Sequence, residues 1–136
     1  MKLFQLQDRV LAYRRARRHR PGPPAGLLLV SSGGLGDTVL FALVIERFMA
    51  LARDGEAVTV VLQKGSDKMA FLLPPEVQVE TVDFGRLRKD LAYRRRVMED
   101  LFAANYRLVV HTDHLRHPHL DEALVEAARA AERLAM

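Results

Sequence analysis

Leu27-Leu28-Leu29-Val30-Ser31-Ser32-Gly33-Gly34-Leu35-Gly36-Asp37-Thr38-Val39-Leu40-Phe41 is the stretch that decides the fold. Leu27 to Ser32 is a short, nearly unbroken apolar run, as expected of a strand buried on both faces. A glycine turn follows. Thr38 to Arg53 then reads as a helix, apolar nearly all round at first and stopped by Gly55. A buried strand that passes through glycines straight into a helix is the opening unit of an α/β domain.

The same alternation continues downstream. Val58 to Gln63 is a second, β-branched strand, and Gly65-Ser66 open a short helix that ends before Pro74-Pro75. Val77, Val79 and Thr81 alternate with Gln78 and Glu80, which predicts a third strand over 77–82. A long helix is expected from about Arg86, with Leu87, Leu91, Met98, Leu101 and Phe102 as its apolar stripe. Arg86, Arg88, Lys89 and Arg94 to Arg96 read as its solvated face. Residues 107–111 form a fourth strand, and Leu120 to Leu134 a last helix. The expected fold class is α/β, a Rossmann-like parallel sheet of four strands with the first lying inside it.

Upstream lies a different kind of sequence. Lys2, Arg9, Arg14, Arg15, Arg17, Arg18 and Arg20 share the first twenty residues with a single acid, Asp8, so the remainder of the chain is close to neutral. That distribution does not suit a nucleic-acid-binding face. Leu3, Phe4, Leu6, Val10 and Leu11 fall mainly on one side of a predicted helix, and Pro21 to Pro24 end it. Residues 1–24 are thus read as a basic amphipathic helix and Pro-rich linker, and 25–136 as the domain. The segment lacks the apolar core of a secretory signal. Its charge and apolar residues suit reversible attachment to an anionic cytoplasmic leaflet; packing on the rest of the protein is the other reading. There are no cysteines to supply disulfides or thiolate ligands.

The glycine loop narrows the chemistry. A phosphate-binding P-loop needs Lys-Ser/Thr after its last glycine, and Asp37-Thr38 stands there. A dinucleotide fingerprint starting at Gly34 needs Gly or Ala where Val39 stands, and an acid at the end of the second strand, where Gln63-Lys64 stands. Asp37 also puts negative charge where a phosphate would dock, so no nucleotide cofactor is expected in this loop. An aspartate at a strand's C-terminal edge faces the ligand crevice of an open α/β sheet and suits a general base. It equally suits a helix N-cap.

Gly34-Leu35-Gly36-Asp37, set between an apolar strand and an apolar helix, resembles the opening of the family 9 glycosyltransferases, which include the heptosyltransferases. The order of elements over about residues 26 to 135 is similar too. The resemblance implies the N-terminal, acceptor-side half of a GT-B enzyme, with the donor-binding C-terminal domain absent from this sequence. It implies inverting transfer of a heptose-like sugar from a nucleotide-sugar to a lipid-linked or lipopolysaccharide-type glycan, without metal. Asp37 would be the base that deprotonates the acceptor hydroxyl, with Gly33, Gly34 and Gly36 shaping the crevice. Thr38 to Val44 lacks the proline that family members often carry there, and His111 to His117 matches their pattern only at Leu115-Arg116. Arg116, Asp113 and Lys64 are the expected acceptor contacts. His111, Asp113, His114, His117 and His119 crowd one loop, but without a metal-ligand spacing, and no metal is expected. The rival reading is a non-catalytic Rossmann-like binding domain that works with a partner or a membrane surface.

Overall fold

Leu27, Leu28, Leu29 and Val30 are completely shielded from solvent, and the strand they form lies in the middle of the sheet. The computed structural model describes residues 2–112 and 120–135. In chain order the elements are α1 (Leu3–Arg17), β1 (Leu27–Ser31), α2 (Leu35–Met49), β2 (Val58–Gln63), a 3-10 helix (Ser66–Leu72), β3 (Gln78–Val82), α3 (Phe84–Lys89), α4 (Leu91–Ala103), β4 (Leu108–His111), α5 (Asp121–Ala128) and β5 (Glu132–Ala135). The strands form one all-parallel sheet in the order β3-β2-β1-β4-β5, with Leu27 in register with both Val58 and Leu108. This is a Rossmann-like arrangement.

The pleat divides the core in two. Leu27, Leu29, Val60, Leu62 and Val110 meet Phe41, Ile45 and Phe48 of α2 on one face. Leu28, Val30, Val61 and Val109 meet Leu87, Met98, Leu101 and Leu124 of α3, α4 and α5 on the other. Each such side chain, fully buried, contributes about 1.5–3 kcal/mol, so the two-sided burial of β1 anchors the domain. Gln78 to Thr81 are exposed on the edge strand β3, where only Val82 is buried. No helix among the described residues is long and apolar enough to cross a membrane.

Several sequence expectations are corrected. The last helix does not run from Leu120 to Leu134. Arg129 takes a left-handed conformation (φ 43°) that ends it, and Glu132–Ala135 become a fifth strand. Parallel pairing with β4, in register from Leu108↔Glu132, satisfies an edge that would otherwise be open and overrides the helix propensity of Ala, Glu, Arg and Leu. The long helix from Arg86 is two helices. Asp90 is extended between them, and its carboxylate accepts from the Tyr93 N–H at 3.0 Å, starting α4 anew. Arg94 is not on a solvated face but wholly buried. Helix α2 begins at Leu35, three residues before the expected start.

The basic segment is docked on the domain. On α1, Phe4, Leu11 and Arg15 turn inward, whereas Leu3, Leu6 and Val10, expected on the same side, face solvent. Asp8 takes a two-pronged interaction from Arg94, Nε to Oδ1 at 2.9 Å and Nη2 to Oδ2 at 2.6 Å, and the Arg94 guanidinium lies 4.6 Å from the centre of the Phe4 ring. Arg15 binds Glu99 at 2.9 Å, and Arg18 joins the same carboxylate. Arg20 donates to the carbonyls of Phe102 (3.0 Å), Ala128 (2.9 Å) and Arg129 (2.7 Å).

At the N-terminal edge of the sheet, Glu56 accepts from Arg107 Nε (2.9 Å) and Nη2 (2.8 Å) and from the N–H groups of Gly26 (3.0 Å) and Arg53 (3.1 Å). Hydrogen bonding by Arg107 leads the causes that outweigh desolvation and hold the Glu56 pKa down to about 2, from an ordinary 4.5. A depressed carboxylate adds stability that is complete above its unfolded value and is lost as pH falls through its folded one. With solvent screening this contribution is about 1–2 kcal/mol. Glu56→Gln is therefore expected to lower stability at neutral pH and to flatten its decline on acidification toward about pH 2. Urea unfolding at a series of pH values measures this, and equal acid losses in both proteins would contradict it.

Candidate functional site at the C-terminal edge of the sheet

The chain leaves β1 toward β2 on one side, whereas β4 lies on β1's other side. The strand order therefore reverses between β1 and β4, and the loops that follow these two strands border the crevice in which open α/β sheets bind ligands. Ser32 to Gly34 follow β1, and Thr112 follows β4. Thr112 closes the bottom of the split, its N–H and its hydroxyl both donating to the Val30 carbonyl at 3.0 and 2.9 Å.

Asp37 is the third residue of α2, not its N-cap. Gly34 holds that position with extended backbone (φ −74°, ψ −169°). A carboxylate in the first helical turn is favoured by the helix dipole. The Asp37 side chain is exposed and folds back over Gly33, where an added Cβ would come within 2.5 Å of the Asp37 Cβ and 2.6 Å of its Oδ2. Gly33 is thus needed so that this carboxylate can lie across the loop. None of Gly33, Gly34 and Gly36 adopts a positive φ, so none of the three is required for its backbone conformation. Nothing lies within 4 Å of a Cβ built on Gly34 or Gly36, so the backbone beside Asp37 is open to an approaching molecule. Among the described residues, no donor hydrogen-bonds the Asp37 carboxylate and no cation pairs with it.

The loop beneath is held firmly. Ser66, almost fully buried after β2, donates its hydroxyl to the Gly33 carbonyl at 3.0 Å. Thr38, fully buried in α2, donates to the Gly34 carbonyl at 2.9 Å. These two hydroxyls fix the backbone that carries Asp37 from both sides.

Lys64 reaches the same sheet edge one strand away. It is largely exposed, and its ammonium lies 3.7 Å from Asp83, the N-cap of α3. The structure therefore brings Gly33, Gly34, Gly36 and Asp37 together and sets Lys64 on the neighbouring loop with an ion-pair partner of its own. Asp113 and Arg116, with His114, His117 and His119, lie outside the described residues. Among the described residues, no cluster of three or more His, Cys, Asp and Glu could hold a metal ion.

One set of contacts here was missed in the sequence, which placed His111 only among the residues of a crowded loop. His111 ends β4, and its Nε2 lies 2.8 Å from Asp121 Oδ2 with both side chains buried. The Ser32 hydroxyl donates to the same Oδ2 at 2.9 Å, and Asp121 Oδ1 accepts the Glu122 N–H at 3.0 Å. This cluster bolts the start of the glycine loop to the end of β4 and the first residue of α5, across the point where the strand order reverses. The sequence offered one signal, an aspartate in the first turn of the helix that follows a histidine-ended strand.

The arrangement can do two things chemically. An open carboxylate held over a rigid glycine loop can accept a proton from a hydroxyl placed in the crevice. The buried Ser32–Asp121–His111 cluster can hold the crevice walls in one geometry. Comparisons of the chain with protein-family models, curated proteins and solved structures find no match in any of the three.

Proposed function

We propose that this chain is the acceptor-binding half of an inverting glycosyltransferase of GT-B architecture, with Asp37 as the base. The observation that carries the reading is the Asp37 carboxylate, exposed, without a donor or cation among the described residues, and lying across Gly33 at the point where the strand order reverses. An N3 aspartate kept only for the helix dipole has no need of a glycine beneath it. In this reading the acceptor hydroxyl lies against the open backbone of Gly34 and Gly36, gives its proton to Asp37 and attacks the anomeric carbon of a nucleotide-sugar, whose bond to the phosphate oxygen breaks as the nucleotide leaves with that electron pair. A heptose-like sugar and a lipid-linked or lipopolysaccharide-type glycan are the proposed substrates. The donor would bind a C-terminal domain of the same architecture. Sugar transfer by the chain supplied with such a domain tests the reading, and a non-catalytic binding domain would give none.

The same reading places the protein at the inner face of a membrane. The outward side of α1 carries Leu3, Leu6, Val10 and Tyr13 at helical spacing, all well exposed, flanked by exposed Lys2, Arg9, Arg14 and Arg17. Its only acid, Asp8, is turned inward to Arg94. Basic groups near an anionic leaflet contribute about 1 kcal/mol each before screening. The chain is expected to cosediment with phosphatidylserine vesicles, less so as salt rises. Leu6→Asp with Val10→Asp should abolish this at an unchanged melting temperature. Unchanged binding by the double variant would contradict it.

A further inference from the structure

A second cavity lies away from the crevice, between α1, α4, α5 and β5. It encloses about 510 Å³, and its charged lining residues are Arg15, Arg20, Arg129 and Arg133 with Asp8 and Glu126. The volume is in the range of small-molecule sites. Arg94 occupies Asp8, and Glu99 occupies Arg15. Among the described residues that line the cavity, Glu126 is then the only acid left to face Arg20, Arg129 and Arg133.

Arg20 is the anchored member of this set, whereas Arg129 and Arg133 are exposed to solvent. Arg20 is anchored by three backbone carbonyls, which orient its guanidinium without neutralising it. Burial, and then the neighbouring charge of Arg129, push its pKa down. The Arg20 guanidinium donates to the Arg129 carbonyl at 2.7 Å, so the two residues meet at the cavity wall. Arg129 sits in the left-handed region, which a residue with a Cβ occupies at a cost of about 1 kcal/mol or more. Arg133 enters from β5, opposite Val109 on the α5 face of the sheet.

We infer that this cavity is a binding site for a phosphate-bearing ligand, held by the forked donors of Arg20, Arg129 and Arg133. Guanidinium groups recognise phosphate oxygens through paired, charge-assisted hydrogen bonds. A phosphate between Arg20 and Arg129 also removes their mutual repulsion. The phosphate can come from a soluble polyphosphate or from a lipid headgroup.

Calorimetric titration of the full chain at low salt, with inorganic pyrophosphate in one arm and soluble dihexanoyl phosphatidic acid in the other, tests the site. Saturable binding in at least one arm, with Kd below about 1 mM, is expected. Binding in the pyrophosphate arm identifies a soluble phosphate as sufficient, and binding in the lipid arm alone identifies the headgroup. Arg129→Gly is the informative variant, because glycine accepts the left-handed backbone without strain. It should keep or raise the melting temperature while weakening binding about tenfold. Arg133→Gln should weaken it similarly, and Glu126→Gln should strengthen it. Absence of saturable binding in both arms, or full affinity in Arg129→Gly and Arg133→Gln, would overturn the proposal.

Discussion

Asp8→Ala is expected to lower the melting temperature by about 10 °C. Arg94 is fully buried and directs both Nε and Nη2 at the Asp8 carboxylate. Removing the acid strands a guanidinium that keeps one long hydrogen bond, 3.4 Å, to the Leu87 carbonyl and the face of the Phe4 ring. Breaking a buried pair from one side costs about 3–5 kcal/mol, and the partial exposure of Asp8 places this case near the lower end. The second variant, Asp8→Leu with Arg94→Met, removes both charges and should recover most of the loss, since apolar replacement of a buried pair is commonly neutral. Thermal unfolding followed by circular dichroism reads both. A shift of less than about 2 °C in Asp8→Ala would show that α1 is held by its other contacts alone.

Asp37→Asn is expected to reduce turnover about a hundredfold to ten-thousandfold, the range for loss of a general base. Its effect on the fold should be small. Asp37 is not the N-cap of α2, and loss of one charge from the first turn costs about 0.3–1 kcal/mol. The amide is nearly the same size, so the tight fit over Gly33 persists. Turnover and melting temperature are measured together on the chain supplied with a donor-binding domain, a donor and an acceptor. Unchanged turnover would leave Asp37 as a dipole partner and remove the mechanism. Gly33→Ala is the companion variant. Its methyl would displace the carboxylate, so turnover should fall although Asp37 is intact.

The parts of the fold that were legible in the sequence are those whose burial is uniform. Leu27 to Val30 must be shielded on both faces wherever they lie, and this alone placed β1 inside a parallel sheet. Glu132 to Leu134 carry no such mark. Their composition favours helix, and only the open edge of β4 makes them a strand. Asp90 interrupts the helix from Arg86 through one capping interaction, which an apolar stripe cannot register. The arginines of the first twenty residues looked unpaired because their partners Glu99 and Phe102 are about eighty positions away.

The site was legible to the same degree. Gly33 and Asp37 are close in sequence, so their juxtaposition could be read there, and the glycine serves the close approach of the Asp37 side chain. Ser32, His111 and Asp121 come from three separate places that only the β1–β4 pairing unites, and no spacing rule joins them.

In the proposed function the crevice beside Asp37 presents an acceptor hydroxyl to a nucleotide-sugar for direct displacement. Its sharpest test is the anomeric configuration of the transferred sugar, read by NMR on the product made by this chain supplied with a donor-binding domain. Inversion relative to the donor is the predicted result, because one base and one displacement leave no covalent intermediate. A product with retained configuration, or no transfer from any nucleotide-sugar, would contradict it.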